Sequence, residues 1–192
     1  SITFNSTTGA IVYVMPSVNG ADSGVFAGVA AAKSLYLFGA QVVQANHAGP
    51  YAPTAGTVLN TGALRNKPEV FQNLLRWSDD TTQSLVWNIS SFPVTASISG
   101  IAPDGTATAN ILESSTTNNL HTAAQVASGL VPINGVSRQH TLSIFAKAGT
   151  TNWLMLMEGQ HSTFKEVWFN LSNGTVGTQT QAVGIIEPAS KY

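Results

Sequence analysis

The chain has 192 residues, a formal net charge of −1, only 9% charged residues and no cysteine. The length suits a single domain. The small charge, with no basic stripe, argues against nucleic acid and anionic membrane surfaces as partners, and the missing thiols exclude disulfides and thiolate metal sites. Solubility must then rest on Ser, Thr, Asn, Gln and Gly, which favour strands, turns and loops over helix surfaces.

The opening Ser1-Ile2-Thr3-Phe4 has no charged region and no long apolar run, so neither a signal peptide nor a membrane span is expected. Ile11 to Met15 reads as a short strand stopped by Pro16, and Ala27 to Lys33 as an Ala-rich stretch with room for one turn. Leu35 to Val43 is the longest apolar run. It is apolar in both phases, which suits an inner strand, and Gly39 marks a bulge or a close approach. Tyr51 to Lys67, with Pro53, Gly56 and Gly62, reads as a linker. Pro68 to Trp77 carries the one helical period, with Val70, Phe71, Leu74 and Leu75 on one face. Ala102-Pro103-Asp104-Gly105 reads as a turn.

Thr141 to Lys147 alternates, with Leu142, Ile144 and Ala146 on one side and Thr141, Ser143, Phe145 and Lys147 on the other. Trp153 to Met157 is apolar on both faces. Val167, Phe169 and Leu171 form a further period-two set that ends at Ser172-Asn173-Gly174-Thr175, an Asn-Gly turn. The expected fold is all-β, an antiparallel β-sandwich of jelly-roll type with little helix.

Catalytic signatures are missing. The chain has no G-x-S-x-G, phosphate loop or dinucleotide fingerprint. His47, His121, His140 and His161 fall in no metal-binding spacing. Glycoside hydrolysis needs two facing carboxylates, and nothing in the sequence pairs Asp104, Glu113, Glu158 or Glu166. We therefore expect no enzyme. Asp79, Asp80 and Asp104 have the hard oxygens for a structural calcium ion, the one cofactor considered, although the same residues form turns through side-chain to backbone bonds, and this weighs more.

Of the four tryptophans, Trp168 lies out of phase with Val167, Phe169 and Leu171 and is expected to point outward. With Trp153, Gln160 and His161 it makes the candidate carbohydrate-binding set, since pyranose faces stack on flat rings and polar side chains bond the hydroxyls. The N-x-S/T triplets at Asn5, Asn88, Asn170 and Asn173 are read as chance in so polar a chain.

From Asn73 onward the sequence resembles a recurrent bacteriophage tail module of the carbohydrate-binding, concanavalin-like sandwich type. The resemblance is carried by Asn73-Leu74-Leu75-Arg76-Trp77-Ser78 followed by Trp87, then Ala102 to Ala109, Leu112-Glu113-Ser114, His121, Thr141 to Gly149 followed by Trp153, and Phe169 to Gly177. The first segment resembles the ending of such modules, in Tyr36-Leu37-Phe38-Gly39-Ala40-Gln41 and Pro50-Tyr51-Ala52-Pro53-Thr54, with Phe38 in place of a Trp. The two halves thus stand in inverted order. Residues 1–50 match the closing half, 51–67 the linker and 68–192 the opening half of one module, together one sandwich core.

The resemblance implies a non-enzymatic virion structural protein, a tail fibre or appendage domain for receptor contact or assembly. Its partners would be other virion proteins, a host-surface glycan and further copies of itself, a trimer being usual for phage fibres. The alternative is a carbohydrate-binding module of a secreted polysaccharide-degrading protein.

Overall fold

A computed structural model describes residues 1–6, 11–17, 25–27, 34–51, 53–55, 73–88, 94–114, 118–126, 138–160 and 163–188. Every regular element among them is a strand. In chain order these are β1 (Ile2–Ser6), β2 (Ile11–Ser17), β3 (Val25–Ala27), β4 (Ser34–Val43), β5 (Val94–Gly100), β6 (Ala109–Ser114), β7 (Asn118–Leu120), β8 (Ala123–Val126), β9 (Arg138–Ala148), β10 (Trp153–Gln160), β11 (Thr163–Asn170), β12 (Thr175–Thr180) and β13 (Val183–Gly184).

Two antiparallel sheets face each other across one core. The six-stranded sheet has the order β13-β1-β9-β4-β6-β5 and the five-stranded sheet β12-β11-β10-β2-β8, with β3 and β7 forming a separate pair. The inward residues alternate as period two demands. Ile2, Phe4, Leu35, Leu37, Leu112 and Leu142 from the larger sheet meet Val12, Val14, Leu154, Leu156, Val167 and Phe169 from the smaller one, with Leu75 and Trp87 filling in from the loops. The protein is therefore an all-β sandwich.

The neighbours of β1, β2 and β4 all come from the later part of the chain. β1 lies between β13 and β9, β2 between β10 and β8, and β4 between β9 and β6. Residues before position 44 and after position 93 thus build both sheets jointly. Ser1 exchanges backbone bonds with Ile185, its N–H donating to the Ile185 carbonyl at 2.6 Å and its carbonyl accepting from the Ile185 N–H at 2.8 Å.

β4 is buried on both faces and paired on both edges. Gly39, at φ +63°, makes a bulge that shifts the register against β9 between Phe38 and Gln41. Before the bulge, Ser34–Leu37 pair with β6. After it, the segment from Asn73 to Ser78 takes over that edge. Leu74 N–H donates to the Val42 carbonyl at 2.8 Å, and Ala40 N–H to the Ser78 carbonyl at 3.0 Å. Asn73 completes the seam with its side chain: Oδ1 accepts from the Val42 and Leu75 N–H groups, and Nδ2 donates to the Ala40 carbonyl, each at 3.1 Å.

That segment is the described part of the Pro68 to Trp77 stretch, and it is not helical. Residues 73–77 are irregular and 68–72 lie outside the described residues. Leu74 and Leu75 are both buried in the core, and a chain that lends its backbone to a neighbouring strand cannot also close helical bonds. Trp77 sits at φ +48°, an uncommon conformation for a bulky residue, with its N–H bonded to the Ala55 carbonyl at 2.8 Å. Its own carbonyl accepts the Nε1–H of the fully buried Trp87 at 3.0 Å. Of the expected linker, Tyr51 and residues 53–55 are seen in irregular conformation. Ala52 and 56–67 lie outside the described residues, as do residues 28–33 of the Ala-rich stretch.

Asn73→Ala removes the partners of two buried backbone groups on β4. Each unsatisfied buried group costs about 1–3 kcal/mol, so urea unfolding should show a loss of roughly 2–4 kcal/mol. A change below about 0.5 kcal/mol would mean the seam is not what holds β4 in place.

Candidate functional site

The outer face of the six-stranded sheet carries a hollow lined by aromatic rings. It follows from strand phase. With Leu35, Leu37, Leu142, Ile144 and Ala146 committed to the core side, Tyr36 and Phe38 on β4 and Phe145 and Lys147 on β9 face the other way, paired across the ladder as Tyr36–Lys147 and Phe38–Phe145. All three rings are half-buried. Lys147 Nζ lies 5.9 Å from the centre of the Tyr36 ring, within cation–π range.

Tyr51 adds a fourth ring from the loop that follows β4. Its centroid is 5.8 Å from that of Phe38 and 6.4 Å, edge-on, from that of Phe145. Its hydroxyl is fixed by Ser78 Oγ at 2.8 Å and donates to Asp79 Oδ1. A Cβ added to Gly39 would stand 3.2–3.3 Å from the Phe145 and Tyr51 rings, so the bulge that redirects β4 also lets these rings close in. The loop after β4 folds back across the sheet, its Ala45 carbonyl accepting from Thr141 Oγ1 at 2.9 Å. This brings Asn46 and His47 to the rim, where Asn46 Oδ1 and His47 Nδ1 lie 2.7 Å apart.

Two adjoining hollows result, and Phe145 lines both. One, of about 340 Å³, is bordered by Gln41, Asn46, His47, Tyr51 and Glu187. The other, of about 380 Å³, is apolar, with Tyr36, Phe38, Ile101 and Pro103 in its walls. Among the described residues lining the two, Glu187 carries the sole carboxylate. The chemistry on offer is that of a binding surface: flat rings for apolar faces, and amide and imidazole groups for hydroxyls.

Of the sequence-derived carbohydrate set, Trp153 and Trp168 lie on the other sheet, on β10 and β11. Trp168 does point away from the core, as its phase requires, but it is only 1% exposed. It belongs to a second apolar cluster on the outer face of the five-stranded sheet, with Met15, Met155 and Met157, and with Tyr13 and Trp153 packed against them. This corrects the expectation of an open Trp168 platform. Its Nε1 is buried without a hydrogen-bond partner. Trp153 is half-buried, set over Gly177, where an added Cβ would come within 3.0 Å of its ring. Gln160 ends β10 opposite Thr163, while its side chain and His161 lie outside the described residues.

Two of the three aspartates behave as turn formers, while Asp79 accepts from the Tyr51 hydroxyl. Asp80 accepts from Thr82 N–H at 2.9 Å and from Gln83 Nε2 at 2.6 Å, and Asp104 from the N–H and Oγ1 of Thr106 at 2.9 and 2.7 Å. Burial works against Asp80 ionising, but these bonds outweigh it and hold the carboxyl below the ordinary range. The Thr106 bonds do the same for Asp104. Among the described residues no three His, Asp or Glu side chains converge as a metal-binding group, so Asp79, Asp80 and Asp104 are not brought together around a calcium ion. Glu158 lies near the end of β10, buried and paired with Lys165 across the ladder at 2.7 Å.

No protein-family model matches the chain, and neither does any of the curated proteins or solved structures compared with it.

Asp79, beneath the Tyr51 hydroxyl, is the perturbed carboxylate of this region. Burial raises its pKa above the ordinary value, the Tyr51 bond opposes that, and repulsion from Asp104 adds to it. A raised folded-state pKa favours the fold while the group is protonated and is lost as pH rises through the folded value. Asp79→Asn keeps an oxygen acceptor for Tyr51 without the charge. It should be more stable than the parent at pH 7 in urea unfolding, with the gap closing as pH falls through the acid range. A variant less stable than the parent at pH 7 would contradict this.

Proposed function

We propose that the chain is a non-catalytic receptor-contact domain of a phage tail fibre or related virion appendage, of jelly-roll type. Its contact surface is the aromatic groove on the outer face of the six-stranded sheet, and its ligand a host-surface glycan. The observation that carries this reading is the set of Phe38, Tyr51 and Phe145, half-buried and held in mutual contact, with Tyr36 lining the same groove beside them and the polar rim of Gln41, Asn46 and His47 next to it. Rings already fixed lose little entropy on binding. Among the described residues the lining holds a single carboxylate, which supports binding over glycoside hydrolysis, a reaction that needs two. Motif resemblance supplies the virion setting, in which the other partners are virion proteins and further copies of the chain in a trimer.

Phe145→Ala takes out the ring shared by the two hollows. Binding to host lipopolysaccharide or capsular glycan, measured by surface plasmon resonance, should weaken by about 1–3 kcal/mol, the worth of an aromatic anchor, with the unfolding transition still cooperative. Undiminished glycan binding by this folded variant would place the contact surface elsewhere.

A further inference from the structure

The apolar hollow of the groove offers a different chemistry from its polar neighbour. Its walls are Tyr36, Phe38, Ile101, Pro103 and Phe145, and Lys147 is the one charged side chain among the described residues that line it. The fold holds these walls in place. Tyr36 lies against Gly100, where an added Cβ would stand 2.6 Å from its ring. Ile101 and Pro103 are carried by a closed turn, in which the Ala102 N–H donates to the Thr106 carbonyl at 2.8 Å and the Gly105 N–H to the Ala102 carbonyl at 2.9 Å. Asp104 ties the same turn by accepting from the Thr106 N–H. Ile101 is thereby kept 64% exposed beside the rings.

A sugar bearing hydroxyls alone does not suit this hollow. Its hydroxyls would leave water for rings and aliphatic side chains, with no partner to replace the lost hydrogen bonds. The occupant has to bring an apolar group. It also has to bring an acceptor, because the ammonium of Lys147 only donates. Lys147 Nζ is placed 5.9 Å from the centre of the Tyr36 ring, and among the described residues no carboxylate forms an ion pair with it. An acyl group supplies both parts, an alkyl end and a carbonyl oxygen. A carboxylate would supply the acceptor without the apolar part. It would also add negative charge to a surface where Asp104 adjoins Pro103 and Glu187 borders the polar hollow.

We propose that the apolar hollow is an acyl-group subsite, so that the glycan taken by the groove is one whose sugars carry N-acyl or O-acyl substituents. This rests on the glycan reading and narrows it. Phe145 lines both hollows, so one sugar unit spans them. Its ring stacks on the aromatic cluster with hydroxyls toward the exposed Asn46 and His47, and its acyl chain lies against Ile101 and Pro103 with the carbonyl toward Lys147.

The test titrates the whole chain with three methyl glycosides, of glucose, N-acetylglucosamine and N-butyrylglucosamine, followed through backbone amide chemical shifts. Affinity should rise in that order, by about fourfold for each methyl or methylene group that the hollow buries. The shifts should centre on Ala102, Ala109, Ala146 and Lys147. Ile101→Asp, at an exposed position outside the core, should bring the three sugars to equal affinity. Lys147→Met should weaken the two acylated sugars and leave the glucoside unchanged. Equal binding of the three by the parent chain, or an acyl preference that survives Ile101→Asp, would overturn the subsite while the glycan reading stands. Failure of all three to bind would overturn the subsite as well, and failure of host lipopolysaccharide to bind in addition would remove the glycan reading with it.

Discussion

A strand with apolar residues on both faces has to be walled in on every side, and the fold is arranged around this requirement of β4. Its inward residues supply the middle of the core, and its outward residues supply two rings of the groove. Its edges are covered by β9, β6 and the backbone of residues 73–78. The first 43 residues cannot meet the requirement alone, because none of their other strands pairs with β4. Strands more than fifty residues away in sequence must be recruited, and this makes the sandwich one cooperative body built from both ends of the chain.

The polar composition is used at the turns rather than as a charged coat. The same device recurs at Asp80-x-Thr82, Asp104-x-Thr106, Asn170-x-Ser172 and Asn173-x-Thr175, where the first side chain accepts from both the backbone N–H and the hydroxyl two residues on. Such local bonds define a reversal without long charged side chains. The triplets at Asn170 and Asn173, read as chance in the sequence, are thus turn elements. Gly174, at φ +71°, closes the Asn-Gly turn between β11 and β12.

Period-two phase was the legible part of the sequence. It sorted Leu142, Ile144 and Ala146 from Phe145 and Lys147 and put Trp168 on the side away from Val167 and Phe169, while the glycine inside the long apolar run marked the bulge or close approach at Gly39. Burial on the second face was not legible. Alternation says which way Trp168 points but not that Met15, Met155 and Met157 gather around it from two other strands. The groove was missed for a related reason. Tyr36, Phe38 and Phe145 become neighbours only through the β4–β9 register, and Tyr51 reaches them from a loop, so no local spacing announces the cluster. Leu74 and Leu75 carried a helical period because both are core residues, but they reach the core from an irregular segment tied to β4 by Asn73.

Native-state hydrogen exchange under increasing denaturant tests the central claim that both ends of the chain complete one core. The amides of Leu37 and Val42 on β4 should share a single opening free energy with those of Leu142 on β9 and Leu156 on β10, and should exchange only on global unfolding. If residues 34–43 open at markedly lower denaturant while β9 and β10 stay protected, the early strands are an accessory layer and not the centre of the sandwich.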